Sequence, residues 1–275
     1  AISSTLSNDN YDITFVSNNL SITKKLITIT ADSKTKLYGV VDPAFTYQIT
    51  SGSLEAGDVL TGGLTRVLGE DVGEYAISST LSNDNYAITF VAAKLSITQK
   101  EITITADTKT KLYGAVDPAF TYQITSGSLE NGDVLTGGLT RVLGEDVGEY
   151  AISSTLSNDN YEITFVPAVF SITQKEITIT ADTKTKLYGA VDPAFTYQIT
   201  SGSLEAGDVL TGGLTRVLGE DVGEYAISST LSNDNYAITF VGSNLSITKK
   251  LITITADTKT KLYGAVDPAF TYQIT

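Results

Sequence analysis

The chain has 275 residues, a net charge of −13, and no cysteine, histidine, methionine or tryptophan. Without cysteine and histidine it lacks the usual zinc ligands, a thiol nucleophile and an imidazole base, so we expect no enzyme activity. The only cofactor that remains open is a hard cation held by carboxylates. An acidic surface repels nucleic acid and anionic lipid, and no apolar run could span a bilayer, so we expect neither partner.

The sequence repeats almost letter for letter with a period of 75 residues. The string ITITADTKTKLYGAVDP begins at Ile102, Ile177 and Ile252, and a near copy begins at Ile27. Such periods are typical of tandem arrays of one folded unit. We predict three complete repeats, 26–100, 101–175 and 176–250, with the C-terminal third of a repeat at 1–25 and the N-terminal third of another at 251–275. These partial repeats suggest a segment of a longer fibre, and completion of the end fragments by another chain is the alternative.

Within each repeat, apolar and polar residues alternate with the period of a strand that has one buried face. In residues 101–175 the strands are predicted at Ile102–Thr105, Thr121–Thr125, Leu139–Val142, Tyr150–Ser154, Ile163–Val166 and Phe170–Thr173. Turn residues such as Asp117-Pro118 and Gly137-Gly138 separate them. The one helical candidate, Ser128 to Leu135, is too short for more than a turn or two. We therefore expect a mainly β array of small domains with six or seven strands each.

The alternation also predicts which side chains of the reference repeat form its core. The predicted core residues are Ile102, Ile104, Leu112, Tyr122, Ile124, Leu129, Leu135, Leu139, Ile152, Ile163, Phe165 and Ile172. A domain of this size buries only about 60% of the surface of its unfolded chain, so its core is small.

Several short motifs recur in register in every repeat. They are Lys111-Leu112-Tyr113-Gly114, Asp117-Pro118, Gly132-Asp133, Gly148-Glu149-Tyr150-Ala151-Ile152, Asn160-Tyr161 and Ser171-Ile172-Thr173. With these motifs the chain resembles the YGX-type MBG repeat, which occurs in tandem in large bacterial surface proteins and adhesins. The resemblance implies an extracellular, mainly β module, with a β-grasp-like or immunoglobulin-like sandwich fold. It implies no activity and carries over no binding site.

The junctions between repeats contain no flexible spacer. The segment from Ser171 to Thr178 has no glycine or proline, unlike a flexible tether. A short junction restricts rotation between neighbouring domains. We therefore expect the array to form a stiff, elongated rod.

The differences between copies cluster in one loop. Residues 92–94, 167–169 and 242–244 read Ala-Ala-Lys, Pro-Ala-Val and Gly-Ser-Asn. One interpretation is neutral drift in a solvent loop near the joint. The other is an interface with a neighbouring repeat or chain, formed in the second repeat by Pro167, Ala168, Val169 and Phe170.

Acidic turns are the remaining candidates for chemistry. Glu145, Asp146 and Glu149 lie in the sequence GEDVGE, and oxygen-rich loops of this kind can bind Ca²⁺. The alternative is a set of solvated turn carboxylates, since no calcium-loop spacing is present. Calcium therefore stays a hypothesis at this turn.

Two further motifs have a structural and a functional interpretation. Tyr113-Gly114 could stack on a sugar, or Tyr113 could cover the end of a sheet above a glycine turn. Asn158 or Asn160 could form an isopeptide bond with Lys109 or Lys111, although both asparagines lie in an evident turn. For both motifs the structural interpretation is the one we expect.

Together these features favour a structural stalk or fibre segment of a bacterial surface protein, in which copy number sets reach. The alternative is an adhesin repeat that binds a glycan or host protein with many weak sites. The expected partners are neighbouring repeats or other copies of the chain, and the expected location is the bacterial cell surface.

Overall fold

The structure, a computed structural model, describes all 275 residues and contains strands but no helix. None of its elements is therefore a helix that could cross a membrane. The chain forms two compact units, the first made of Ala1–Ala106, Thr121–Thr140 and Ser154–Pro167, the second of Asp107–Phe120, Arg141–Ser153 and Ala168–Thr275. The first repeat lies wholly in the first unit and the third repeat wholly in the second, whereas the strands of the second repeat are shared between them.

Each complete repeat has seven strands. In the first they are β1 Lys25–Ala31, β2 Lys34–Leu37, β3 Tyr47–Ser51, β4 Leu64–Arg66, β5 Gly73–Ser79, β6 Tyr86–Val91 and β7 Lys94–Thr98. In the second they are β8 Lys100–Ala106, β9 Lys109–Leu112, β10 Tyr122–Ser126, β11 Leu139–Arg141, β12 Gly148–Ser154, β13 Tyr161–Val166 and β14 Val169–Thr173. In the third they are β15 Lys175–Ala181, β16 Lys184–Leu187, β17 Tyr197–Ser201, β18 Leu214–Arg216, β19 Gly223–Ser229, β20 Tyr236–Val241 and β21 Asn244–Thr248, and β22 Ile254–Ala256 and β23 Tyr272–Ile274 follow.

The strands of each repeat form two sheets. In the first repeat their orders are β3-β1-β6 and β2-β7-β5-β4, and the third repeat has the same topology with β17-β15-β20 and β16-β21-β19-β18. In the second repeat, β10-β8-β13 form a sheet in the first compact unit, while β14 pairs with β12 and β9 in the second. The predicted tandem array of small β domains is confirmed, and it lacks the helix of a ubiquitin-like β-grasp.

The buried side chains follow the alternation of the strands. Ile102, Ile104, Ile152 and Ile172 of the predicted core are fully buried. The other predicted residues that are at least half-buried are Tyr122, Ile124, Leu129, Leu135, Leu139, Ile163 and Phe165. No helix forms between Ser128 and Leu135, where the chain makes only a turn.

The prediction that Leu112 is buried is wrong, because β9 turns its other face to the interior. Leu112 is 56% exposed, whereas Lys111 is only 8% exposed. The reason is electrostatic: the ammonium group of Lys111 lies against the carboxylates of Asp117 and Glu145, which compensate its desolvation. β9 itself was not predicted, since its Lys-Thr-Lys-Leu sequence gives little apolar signal.

Candidate functional site at the joints between repeats

A single residue links consecutive repeats. Gln99 lies alone between β7 and β8, and its Nε2 donates hydrogen bonds to the carbonyl oxygens of Asp159 at 3.1 Å and Tyr161 at 3.2 Å. Gln174 lies alone between β14 and β15 and donates to the carbonyl oxygen of Asp234 at 3.0 Å. The side chain of each linker residue is therefore held by the following repeat.

Beside this linker, a tyrosine of one repeat inserts into the next. Tyr38 follows β2, and Gly39 makes the turn behind it with a φ of +77°, which favours glycine. The Tyr38 ring meets the Tyr161 ring edge to face, with centroids 5.5 Å apart. Its hydroxyl donates a hydrogen bond to Asp133 Oδ2 at 3.0 Å. Tyr38 thereby completes the hydrophobic cluster of the second repeat.

The joint between the second and third repeats has the same geometry. Tyr113 meets Tyr236 edge to face at 5.5 Å, and its hydroxyl donates to Asp208 Oδ1 at 3.2 Å. Tyr113 packs against the cluster that contains Ile177 and Ile179 of the third repeat. The arrangement is therefore a property of the repeat and not of one place in the chain.

An asparagine beside the inserted tyrosine makes further contacts at each joint. Asn160 accepts a hydrogen bond at its Oδ1 from the Val72 N–H at 2.9 Å and donates from its Nδ2 to Asp71 Oδ1 at 2.9 Å. Asn235 makes the same pair of bonds, with Val147 at 2.8 Å and Asp146 at 2.9 Å. Two opposed hydrogen bonds fix both the position and the orientation of the amide.

One carboxylate accepts hydrogen bonds from both phenols of the joint. Asp133 Oδ2 also accepts a hydrogen bond from the Tyr161 hydroxyl at 2.5 Å, and that hydroxyl accepts the Glu130 N–H at 2.7 Å. Burial, followed by the hydrogen bond to Asp133, raises the pKa of Tyr161 to about 12. The same causes raise the pKa of Tyr38. Both phenols therefore stay protonated, as donors, throughout the physiological range.

The turn that carries Tyr38 approaches the second repeat too closely for a larger residue. A Cβ added at Gly39 would lie 2.5 Å from the carboxyl carbon of Glu130. That carboxylate is held by Lys100, whose Nζ is 2.5 Å from Glu130 Oε1. At the second joint, Gly114 approaches Glu205 to the same degree. The left-handed turn thus favours glycine at these positions, and a larger residue would also displace the glutamate of the next repeat.

All three repeats that share these residues match one family model, the MBG domain (YGX type), at 27–96, 102–171 and 177–246. The chain belongs to this family. The resemblance inferred from the motifs is therefore confirmed, and the matched segments cover most of the protein. A search of curated protein sequences gives no match to the chain.

Each MBG repeat also contains a compact charged network next to the turn that carries its joint tyrosine. In the second repeat, Lys111 Nζ lies 2.7 Å from Asp117 Oδ1 and contacts Glu145 as well. Arg141 bridges the same two carboxylates, with Nε 2.5 Å from Asp117 and Nη2 2.6 Å from Glu145. The hydrogen bonds from Arg141 and then Lys111 lower the pKa of Asp117 to about 2. The first and third repeats contain the equivalent network.

The three calcium candidates lie in different environments. Glu145 belongs to the charged network, Asp146 binds Asn235 across the joint, and Glu149 is exposed on β12. No group of three or more acidic side chains that could hold a metal ion is present. Asp146 therefore has a structural partner that its sequence does not suggest.

The variable loop of the second MBG repeat takes no part in the joint contacts described above. Ala168 accepts a hydrogen bond at its carbonyl from the Ile152 N–H at 3.0 Å, so the loop is tied to β12. Pro167 and Val169 are exposed. Phe170 is fully buried, which corrects its assignment as an interface residue: its ring fills the core position that Leu95 and Leu245 occupy in the other repeats.

The residues that make the joints were not identified as such in the sequence. Tyr113 was expected to cover the end of its own sheet, and the structure places it on the next repeat instead. Asn158 and Asn160, considered for an isopeptide bond, donate to the Val134 carbonyl and to Asp71. The tyrosine, asparagine and aspartate of the joint are identical in every repeat, whereas the linker glutamine is replaced by Lys249 after the third. Because most of the sequence is also identical, identity alone could not single these residues out.

Proposed function

We propose that this chain is a structural spacer, a stalk or fibre segment of a bacterial extracellular surface protein, in which repeat number sets reach and the joints limit bending. Membership of a family generally found in surface proteins supports this location. In this proposal the repeats perform no catalysis. Their partners are the neighbouring repeats, or other copies of the chain in a fibre.

The observation that carries the proposal is the joint itself. Interfaces between domains of one chain usually permit motion unless something holds them. Here the linker is only Gln99, and rotation about it would separate Tyr38 from Asp133 and Asn160 from Asp71. Because these contacts connect the two repeats directly, a motion that opens the joint where they lie must break them. The second joint repeats them, so an added repeat should extend the array with the same constraint.

The proposal predicts that the joint tyrosine restricts motion between repeats. The chain has no cysteine, so spin labels can be placed at Lys94→Cys and Glu162→Cys, two exposed sites outside the joint contacts. Pulsed electron spin resonance should give a narrow distribution of label distances. Tyr38→Ala should broaden that distribution by removing the inserted ring.

The matched control is Tyr188→Ala, because Tyr188 lies in the same Lys-Leu-Tyr-Gly sequence but is 50% exposed. This control should leave the distribution unchanged. A broad distribution in the unaltered protein would contradict a stiff spacer. Glycan binding that strengthens with the number of repeats would instead favour the multivalent adhesin.

A further inference from the structure

In each repeat the first strand pairs in parallel with the sixth, and the second pairs in parallel with the seventh and last. In the first repeat the chain enters through β1 and leaves through β7. β1 pairs in parallel with β6 from Lys25↔Tyr86 to Thr30↔Val91, and β2 pairs in parallel with β7 from Lys34↔Leu95 onward. Both ladders keep the same sequence offset. Two consecutive parallel ladders therefore connect the entry of the repeat to its exit.

This topology determines how the repeat responds to tension. A force along the chain pulls β1 by its N-terminal end and β7 by its C-terminal end. Since each is paired with a parallel strand, the two strands of each ladder are pulled in opposite directions along their length. The evenly spaced hydrogen bonds of a parallel ladder then share the load and must break together. Pulled from the same end, the strands would separate one bond at a time.

Contacts at the ladder ends and in the core strengthen this arrangement. The Lys25 N–H donates to the Asn85 carbonyl at 3.0 Å, and the Tyr38 N–H donates to the Thr98 carbonyl at 2.9 Å. The loaded strands also carry Ile29 and Leu95, which are fully buried. Sliding one strand past the other would expose these side chains to water, which adds resistance.

The third repeat has the same pair of ladders, β15 with β20 and β16 with β21. In the second repeat β8 pairs in parallel with β13 in one compact unit, and β9 with β14 in the other. We infer that each repeat is a mechanical clamp, and that the chain carries tensile load in addition to setting distance. A chain between an anchor and an attached surface would experience such a load.

The test compares two directions of force on the same ladders. Cysteine pairs are unique attachment points in this chain. Lys24→Cys with Gln99→Cys loads the first repeat in shear, whereas Lys24→Cys with Asp84→Cys peels β1 from β6. The peeling protein also carries Gln99→Ala, so that both proteins lack this linker side chain. Force spectroscopy at one pulling speed should give at least about twofold higher unfolding forces in shear, because forced unfolding follows the barrier along the pulled direction.

Equal forces in the two directions, or a lower force in shear, would overturn the inference. A pull on the chain ends should give three unfolding steps, one for each repeat, each releasing roughly 200–250 Å of contour. Tyr38→Ala should leave the shear force within error, since the joint lies outside both ladders. An array whose label distances are broad but whose repeats resist high force would contradict the proposed spacer and not the clamp. An array whose label distances are narrow but whose repeats unfold at low force would contradict the clamp and not the spacer.

Discussion

The interior of a repeat and the joint between repeats are built from different chemistry. Interior positions such as Ile29 and Leu95 are apolar and fully buried, and their partners lie in the same repeat. The joint relies on directed polar contacts, in which Asp133 and Asn160 each bind two groups. The interior therefore determines whether a repeat folds, whereas the joint determines how two folded repeats are oriented.

The tyrosines at equivalent positions show that the joint is a property of two repeats together. Tyr38 and Tyr113 lie in the same Lys-Leu-Tyr-Gly sequence as Tyr188, and each packs against the following repeat. Tyr188 is half exposed, and a Cβ added at Gly189 would meet nothing. The third repeat thus supplies a control for every change made at the first or second joint.

The largest effect is expected in the interior, from Phe170→Ala. The ring is fully buried, meets Phe120 edge to face at 5.5 Å, and lies 4.9 Å from the Arg141 guanidinium carbon. Its removal should lower the free energy of unfolding of the second repeat by about 3–5 kcal/mol, since the cavity cannot collapse fully. Urea unfolding of the whole chain measures this loss.

Phe170→Leu is the control for that change, because Leu95 and Leu245 occupy the equivalent positions. A leucine should cost less than about 1.5 kcal/mol. Equal losses in the two variants would show that the ring, and not the filled volume, stabilises the repeat.

A smaller effect is expected at the joint, from Gly39→Ala compared with Gly189→Ala. Both glycines have a φ of +77°, so both variants should lose about 1–2 kcal/mol to the left-handed backbone. Only at Gly39 does the new Cβ also meet the Glu130 carboxylate. The side chain of Glu130 can move, at the expense of its contact with Lys100, so we expect about 1 kcal/mol more at Gly39.

The measurement is the difference in thermal unfolding between these two variants. It cancels the strain that the two turns share and leaves the contribution of the joint. Equal losses would mean that the joint accommodates a methyl group, and that Glu130 does not fix the turn.

How much of the structure can be predicted from the sequence depends on how far apart in the sequence the contacting residues lie. The strand pattern, the repeat period and the burial of Ile102 and Ile104 follow from local alternation. Lys111 and Leu112 are reversed relative to the prediction because two carboxylates neutralise Lys111, one from the following turn at Asp117 and one 34 residues away at Glu145. Hydrophobicity alone would predict that Leu112 is buried and Lys111 exposed.

The contacts of the joint are even less predictable from local sequence patterns. Tyr38 and Asp133 are separated by 95 residues, and no periodicity connects a Tyr-Gly turn to an acceptor in the next repeat. The clamp is predictable only in part, since alternation gives the strands but not their parallel pairing. Both features need the topology of the chain, which the sequence pattern does not contain.

The smallest loss of stability should come from acid, and it should be similar in all three repeats. In the charged networks, hydrogen bonds from the arginine and then the lysine lower the pKa of Asp42, Asp117 and Asp192 from 3.8 to about 2. A carboxyl whose pKa is lower in the folded state stabilises that state fully above its ordinary pKa. This contribution should be lost as the pH falls from about 4 to 2, and water at the partly exposed carboxylates keeps it modest.

Thermal melts between pH 6 and pH 2 measure this loss, with Asp117→Asn as the test and Asp84→Asn as the control. Asp117→Asn should be less stable than the unaltered protein at pH 6, because Lys111 and Arg141 keep only Glu145 as an anionic partner. The melting temperatures of the two proteins should then converge as the pH falls. Protonation of Asp117 removes from the unaltered protein the negative charge that the substitution has already removed from the variant. The exposed Asp84→Asn should follow the unaltered protein throughout. Parallel curves for Asp117→Asn and the unaltered protein would place the acid sensitivity outside the network, and would leave the carboxylates of the joints as its source.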